Sequence, residues 1–153
     1  MKVNLAYGQG HLPVELPDEC TTVIEPSHTP GLADERAAVI GALEKPIGAP
    51  PLCDQVKPSD RVCIIFTDIT RATPNHRLIP WLLDHLAHVP RANITLLNST
   101  GTHRPNTRAE LEKMLTPEVV ANYRVVNHES EDRTACVQLG VTRDGSPALL
   151  NRL

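Results

Sequence analysis

A chain of 153 residues with 41% hydrophobic and 22% charged residues has the composition of one globular domain, and at that size folding buries roughly 68–70% of the surface the unfolded chain exposes. The formal net charge of -3, with no basic stripe interleaved with aromatics, excludes a nucleic-acid footprint. No apolar stretch approaches the about 20 residues that span a bilayer, and Met1-Lys2-Val3-Asn4 lacks the apolar core of a signal peptide, so the chain reads as cytoplasmic with no membrane partner.

Val3, Leu5 and Tyr7 alternate with polar or small residues, Gly8-Gln9-Gly10 interrupts, and Leu12, Val14 and Leu16 alternate again. That is a hairpin pattern, with Pro13 favouring an edge strand. Val23-Ile24 is a short apolar pair before Pro26 and Pro30. Ala33 to Leu43 reads as a helix, with Ala37, Ile40 and Leu43 or Glu44 at helical spacing and Asp34-Glu35 where the dipole favours negative charge. The Pro-rich crossing from Lys45 to Asp60 reads as a rigid connection inside one domain rather than a linker.

Arg61 to Pro105 organises the rest. Val62-Cys63-Ile64-Ile65-Phe66-Thr67 and Asn93-Ile94-Thr95-Leu96-Leu97-Asn98 are continuous apolar runs rich in β-branched residues, as expected of parallel strands covered on both faces. The segment between them opens with Thr73-Pro74, a cap followed by proline at the first helical position, and places Leu78, Trp81, Leu82, His85 and Val89 on one face. Pro80 leaves two alternatives: a kinked helix, or a regular helix that starts only near Ile79. The whole forms a βαβ unit with a right-handed crossover. Further on, Thr107-Arg108-Ala109-Glu110 is a capping box opening a helix through Leu111, Met114 and Leu115. Thr116-Pro117 opens another short turn, Arg124 to Asn127 is a third strand, and Cys136 to Leu139 is a weak fourth. The scattered cysteines Cys20, Cys53, Cys63 and Cys136 read as free buried thiols, not as disulfides or a zinc site.

Open α/β sheets bind ligands at the carboxyl ends of their strands, and there Asp68, Arg71 and His103 would face one crevice. Asp68 is a candidate catalytic carboxylate or a turn acceptor. The planar fork of Arg71 suits a carboxylate or phosphate, against the alternative of a surface arginine paired with a nearby acid. His103 follows Thr100-Gly101-Thr102, where glycine permits an unusual turn, and an imidazole placed there suits a general acid or base. His76, His85 and His88 resemble metal ligands by number only, so no metal site is expected. His128 with Glu129 lies at a third strand end, where plain exposure is an equal reading. Gly8-Gln9-Gly10 is too short for a phosphate loop, and no Walker-type or G-x-G-x-x-G sequence occurs.

Thr67-Asp68-Ile69-Thr70-Arg71 with Pro74, then Thr100-Gly101-Thr102-His103-Arg104-Pro105, Val126-Asn127-His128 and Leu139-Gly140-Val141-Thr142 together resemble the N-terminal part of the nickel-dependent lactate racemase family. Tyr7-Gly8-Gln9-Gly10 and the Pro46 to Pro51 segment extend the resemblance along essentially the whole chain, and Thr-Gly-x-His-Arg-Pro is its most specific element. Ala72 departs from the proline usual after Asp-x-Thr-Arg. The implied architecture is a single α/β domain over residues 1–153, with a mostly parallel Rossmann-like sheet, flanking helices and an N-terminal β-hairpin.

The resemblance implies a domain that closes against a second α/β domain over a nickel-pincer nucleotide and acts on lactate, another 2-hydroxy acid or a sugar acid. In that chemistry the cofactor takes and returns the hydride while histidines move the hydroxyl proton. His103 matches one acid/base histidine and Arg71 an arginine beside the substrate. Asp68 lies in the same loop, and Thr70, Thr100 and Gly101 are candidates to hold the cofactor. The cofactor-bearing lysine, a nickel-ligating histidine and the second acid/base histidine would lie downstream. The chain alone is therefore expected to be inert and free of cofactor, to end as a cut through a larger protein, and to self-associate or dock onto the missing half. Other readings are a non-catalytic module binding a small acid or phosphate, and a docking half for a partner chain.

Overall fold

The structure, a computed structural model, describes residues 1–153. It divides into two units, Met1–Ala33 and Asp34–Leu153. The first is an antiparallel hairpin of β1 (Lys2–Tyr7) and β2 (Gly10–Glu15), with Val3 opposite Val14 and Leu5 opposite Leu12. Gly8, at φ +59°, turns the hairpin in the left-handed region that glycine enters without a Cβ penalty.

The second unit opens with α1 (Glu35–Glu44), and Asp34 caps it, its carboxylate accepting the Ala37 N–H at 2.8 Å. In the Pro-rich crossing a single turn, α2 (Leu52–Gln55), interrupts the extended chain. Strands β3 (Val62–Thr67), β4 (Ile94–Ser99) and β5 (Arg124–Asn127) then form a parallel sheet in that order, Ile65 lying opposite Leu97, Thr67 opposite Ser99, and Asn98 opposite Asn127. The three strand ends are therefore level.

Three helices connect these strands: α3 (Asn75–His85) between β3 and β4, and α4 (Arg108–Leu115) with α5 (Pro117–Asn122) between β4 and β5. Their apolar stripes pack on one face of the sheet. Ile64, Phe66, Ile94 and Leu96 meet Ile79 and Leu83 of α3, Leu111, Met114 and Leu115 of α4, and Val119 of α5. The buried stripe of α3 is Asn75, Ile79, Leu83 and then Leu86, so the expected stripe through Leu78, Trp81 and Leu82 is displaced to the flank, where those residues are half-buried. The helix is regular from Asn75 through Pro80, which removes the alternative of a start near Ile79. The capping box of α4 is formed, and Thr116, at φ +94°, ends α4 while its hydroxyl caps α5.

The other face of the sheet differs from expectation. Cys63 and Ile65 of β3 are exposed, so β3 is a half-open edge strand and only β4 is covered on both faces. The expected weak fourth strand is longer, β6 (Cys136–Val141), and pairs antiparallel with β7 (Pro147–Asn151) as a hairpin separate from the parallel sheet. Ile65, Leu97, Leu149 and Leu150 line a cavity of about 420 Å³ between sheet and hairpin. All four cysteines are free, but Cys20, Cys53 and Cys63 are exposed and Cys136 is half-buried, so they are not the core thiols expected. No helix is long and apolar enough to cross a membrane.

Candidate functional site

The loop after β3 turns at once. Asp68 C=O accepts the Arg71 N–H at 3.1 Å, while its carboxylate Oδ1 accepts the Thr70 hydroxyl at 2.7 Å and the Thr70 N–H at 3.3 Å. This is the Asx-type turn that an aspartate just past a strand favours. It leaves Oδ2 free to meet the loop after β4. There the His103 N–H bonds to Thr100 C=O at 3.0 Å across a turn in which Gly101 has φ +59°, and the imidazole Nδ1 reaches Asp68 Oδ2 at 2.5 Å.

The two partners differ in exposure: the side chain of Asp68 is 3% accessible and that of His103 47%. The His103 hydrogen bond, with support from Thr70, holds the Asp68 carboxyl below the usual carboxylate range despite its burial. An ionised carboxylate is an acceptor only, so the shared proton belongs to Nδ1 and the free imidazole nitrogen is Nε2. That tautomer follows from the hydrogen-bond pattern.

Asp68, Arg71, Thr100, Gly101 and His103 line one cleft of about 340 Å³, together with Thr67, Ser99 and Thr102. Arg71 makes no ion pair within the chain, so its fork is available to an anion. Thr70 is not on the wall: its hydroxyl is spent on Asp68. Thr100, 2% accessible, gives its hydroxyl hydrogen to His128 C=O and so ties the His103 turn to the end of β5.

Arg104, beside His103, does different work. Its guanidinium grips Glu110 of the capping box through two bonds of 2.9 and 2.7 Å, while Glu110 Oε2 also accepts the Thr107 N–H at 2.8 Å. The Arg104 fork, joined by that backbone bond, pulls the Glu110 carboxyl down to about 2. The loop is thereby stapled to α4.

Next to the cleft lies a set of asparagines whose joint role no motif announces. Asn98, Asn106 and Asn127 join the ends of β4 and β5 to the His103 loop through mutual amide bonds, and Asn75 of α3 donates to Thr67 C=O at 2.9 Å. Asn98 Oδ1 is buried without a partner, a state that costs about 1–3 kcal/mol. The signal available was a polar residue inside an apolar strand, Leu97-Asn98-Ser99.

The other histidines stay outside the cleft. His85 Nε2 lies 3.2 Å from Cys53 Sγ, His88 Nε2 lies 2.8 Å from Val56 C=O, and His76 lines a separate cavity beside α5. His128 Nδ1 is 3.1 Å from Asn151 Nδ2, and its ring faces the cavity under the β6–β7 hairpin. Nowhere do three or more His, Cys, Asp or Glu side chains converge as metal ligands would.

The family model described as the lactate racemase N-terminal domain matches residues 7–153. The lactate racemase of Lactiplantibacillus plantarum is 34% identical over 120 residues, 78% of this chain and 28% of that protein. The lactate racemase of Thermoanaerobacterium thermosaccharolyticum is 30% identical over 155 residues, covering 99% of this chain and 36% of that one. The structure of the lactate racemase apoprotein from the same organism superposes with a TM-score of 0.84 at 30% identity, again over 99% of this chain and 36% of that one. A Thermotoga maritima protein shares the fold at 21% identity and a TM-score of 0.58 over 82% of this chain and 32% of its own. The chain thus spans about a third of the length of the curated relatives it matches. With the hairpin and the parallel sheet in agreement with these matches, the chain belongs to the lactate racemase N-terminal domain family.

Proposed function

We propose that this domain is the substrate-binding and proton-transfer part of a lactate racemase-like enzyme that interconverts the stereoisomers of a 2-hydroxy acid. The reading is carried by one observation, the 2.5 Å contact between the buried Asp68 carboxylate and Nδ1 of the half-exposed His103 imidazole. A carboxylate that fixes the Nδ1–H tautomer leaves Nε2 as a base on a side chain lining the cleft. His103 Nε2 would exchange the proton of the substrate hydroxyl, with Asp68 stabilising the imidazolium, while the hydride of the C–H bond that must also break would be taken up and returned by a nickel-pincer nucleotide. Arg71 receives the substrate carboxylate, its planar fork matching two oxygens at once.

The cleft offers hydroxyls, one imidazole, one guanidinium and the Asp68 carboxylate, whose oxygens are already bound to Thr70 and His103; these suit a small acid and do not make a metal site. A nickel-pincer nucleotide would therefore be held by residues outside this chain, in a second domain closing on the cleft. Thr70, Thr100 and Gly101 then shape the wall facing it: Thr70 through Asp68, Thr100 through His128, and Gly101 by the absence of a side chain. An enzyme of a small metabolite with four free cysteines suits a cytoplasmic setting.

The test joins this chain to the remainder of the Thermoanaerobacterium thermosaccharolyticum enzyme, beyond its matched 36%, in a cell that makes the cofactor. The joined enzyme is expected to racemise lactate or a related 2-hydroxy acid, and this chain alone is expected neither to turn over nor to retain nickel. A joined enzyme that binds nickel and folds but turns over no 2-hydroxy acid would overturn the reading.

A further inference from the structure

Two loops carry the Asp68–His103 pair, and one buried side chain touches both. Asn106, 6% accessible, follows the His103 loop by three residues. Its Oδ1 accepts the N–H of Ile69, the residue next to Asp68, at 3.4 Å and the Nδ2–H of Asn98 at 2.8 Å. Its backbone is clamped by Asn127, whose Oδ1 accepts the Asn106 N–H at 3.2 Å and whose Nδ2 donates to Asn106 C=O at 3.0 Å. Asn98 closes the set by donating to Asn127 Oδ1 at 2.8 Å.

The strand register explains why these amides meet. Asn98 and Asn127 are partners at the ends of β4 and β5, so their side chains leave the sheet at the same level, just where the His103 loop folds back. Asn98 is fully buried and its Oδ1 has no partner. An apolar residue there would avoid that unmet acceptor. It would also remove the donor shared by Asn106 Oδ1 and Asn127 Oδ1, and with it the link between the two loops.

We propose that Asn106, held by Asn98 and Asn127, is a positioning residue: it sets the spacing of the Asp68 and His103 loops and thereby which imidazole nitrogen faces the cleft. Its effect on turnover rests on the proposed function, whereas its effect on the His103 tautomer does not.

The experiment is nitrogen-15 NMR of the histidine rings in the 153-residue chain, comparing wild type, Asn106→Ala and Val119→Ala, the last a core variant on α5 remote from the cleft. Measurements are made where backbone spectra show each protein folded. Wild type and Val119→Ala are expected to give a slowly exchanging Nδ1–H signal for His103, and Asn106→Ala to lose it. Should Asn106→Ala not fold, Asn127→Asp serves: it keeps both acceptor bonds of Asn127, loses only the donation to Asn106 C=O, and is expected to speed the exchange of that proton. In the joined enzyme Asn106→Ala should lower kcat about 10- to 100-fold with KM little changed, as a misplaced catalytic group does. A His103 Nδ1–H signal in Asn106→Ala, or in Asn127→Asp where the first is unfolded, as protected as in Val119→Ala would overturn the proposal. Loss of the signal with no racemisation by any protein would instead remove the assigned activity and leave the positioning role standing.

Discussion

Strands β3 and β4 run side by side in register, yet their burial inverts at their ends. Along β4 both faces are covered, whereas β3 leaves Ile65 66% accessible opposite a Leu97 that is only 6% accessible. Past the carboxyl ends, the open strand delivers the most buried acid, Asp68, and the covered strand delivers the half-exposed His103. The burial of a side chain past a strand end is thus set by the turn that carries it, not by its strand. An acid–base pair needs that asymmetry: one partner fixed out of solvent, the other able to reach a substrate.

The largest test of the contrast is Asp68→Asn. An amide in place of the carboxylate offers an N–H to Nδ1, favours the Nε2–H tautomer and removes the base from the cleft. Racemisation by the joined enzyme should fall about 10²- to 10⁴-fold, the range a general base supplies. The same variant has a pH signature. The folded carboxyl of Asp68 titrates below its ordinary value, so its stabilisation is complete above the ordinary carboxylate range of about 3.9 and is lost as pH falls through the lower folded value. Denaturant midpoints of wild type and Asp68→Asn should therefore differ most near neutral pH and converge in acid.

Next in size is the covered strand itself. Leu96→Ala empties a fully buried position against α3 and α4 and should cost about 2–5 kcal/mol in urea unfolding. Arg71→Lys should lower kcat/KM by about 10- to 100-fold, the loss of a charge-assisted bond worth roughly 1.5–3 kcal/mol, with the urea midpoint unchanged. The smallest effect belongs to the open face: Ile65→Thr keeps a β-branched residue on an exposed position and should shift stability by no more than about 0.5 kcal/mol.

Much of this geometry was legible in the residues. Two apolar runs with level polar ends predicted that Asp68, Arg71 and His103 share a crevice, and the Thr107–Glu110 capping box announced α4 directly. What escaped was set by partners distant in sequence. An apolar run says strand, but whether both faces are covered depends on how many strands follow, so the open face of β3 was hidden. The stripe of α3 runs through Ile79 and Leu83 and not through the expected Leu78 and Leu82, because apolar residues flank both sides of that face, while Val89 is buried as expected. Pro147 to Asn151 is an apolar segment that becomes a strand only when paired with Cys136 to Val141. The asparagine set showed itself only as Asn98, a polar residue inside an apolar strand; Asn106 and Asn127 become its partners only when the sheet brings them together.

The side chain of His103 is exposed enough to change without unfolding the domain, which makes its role the most direct to test. The measurement is 2-hydroxy acid racemisation by the joined enzyme carrying His103→Gln, with nickel content and the urea midpoint measured on the same sample. The predicted result is turnover reduced at least about 100-fold with nickel and stability retained. Turnover at the wild-type rate would contradict the assignment, because no other imidazole of this chain lines the cleft.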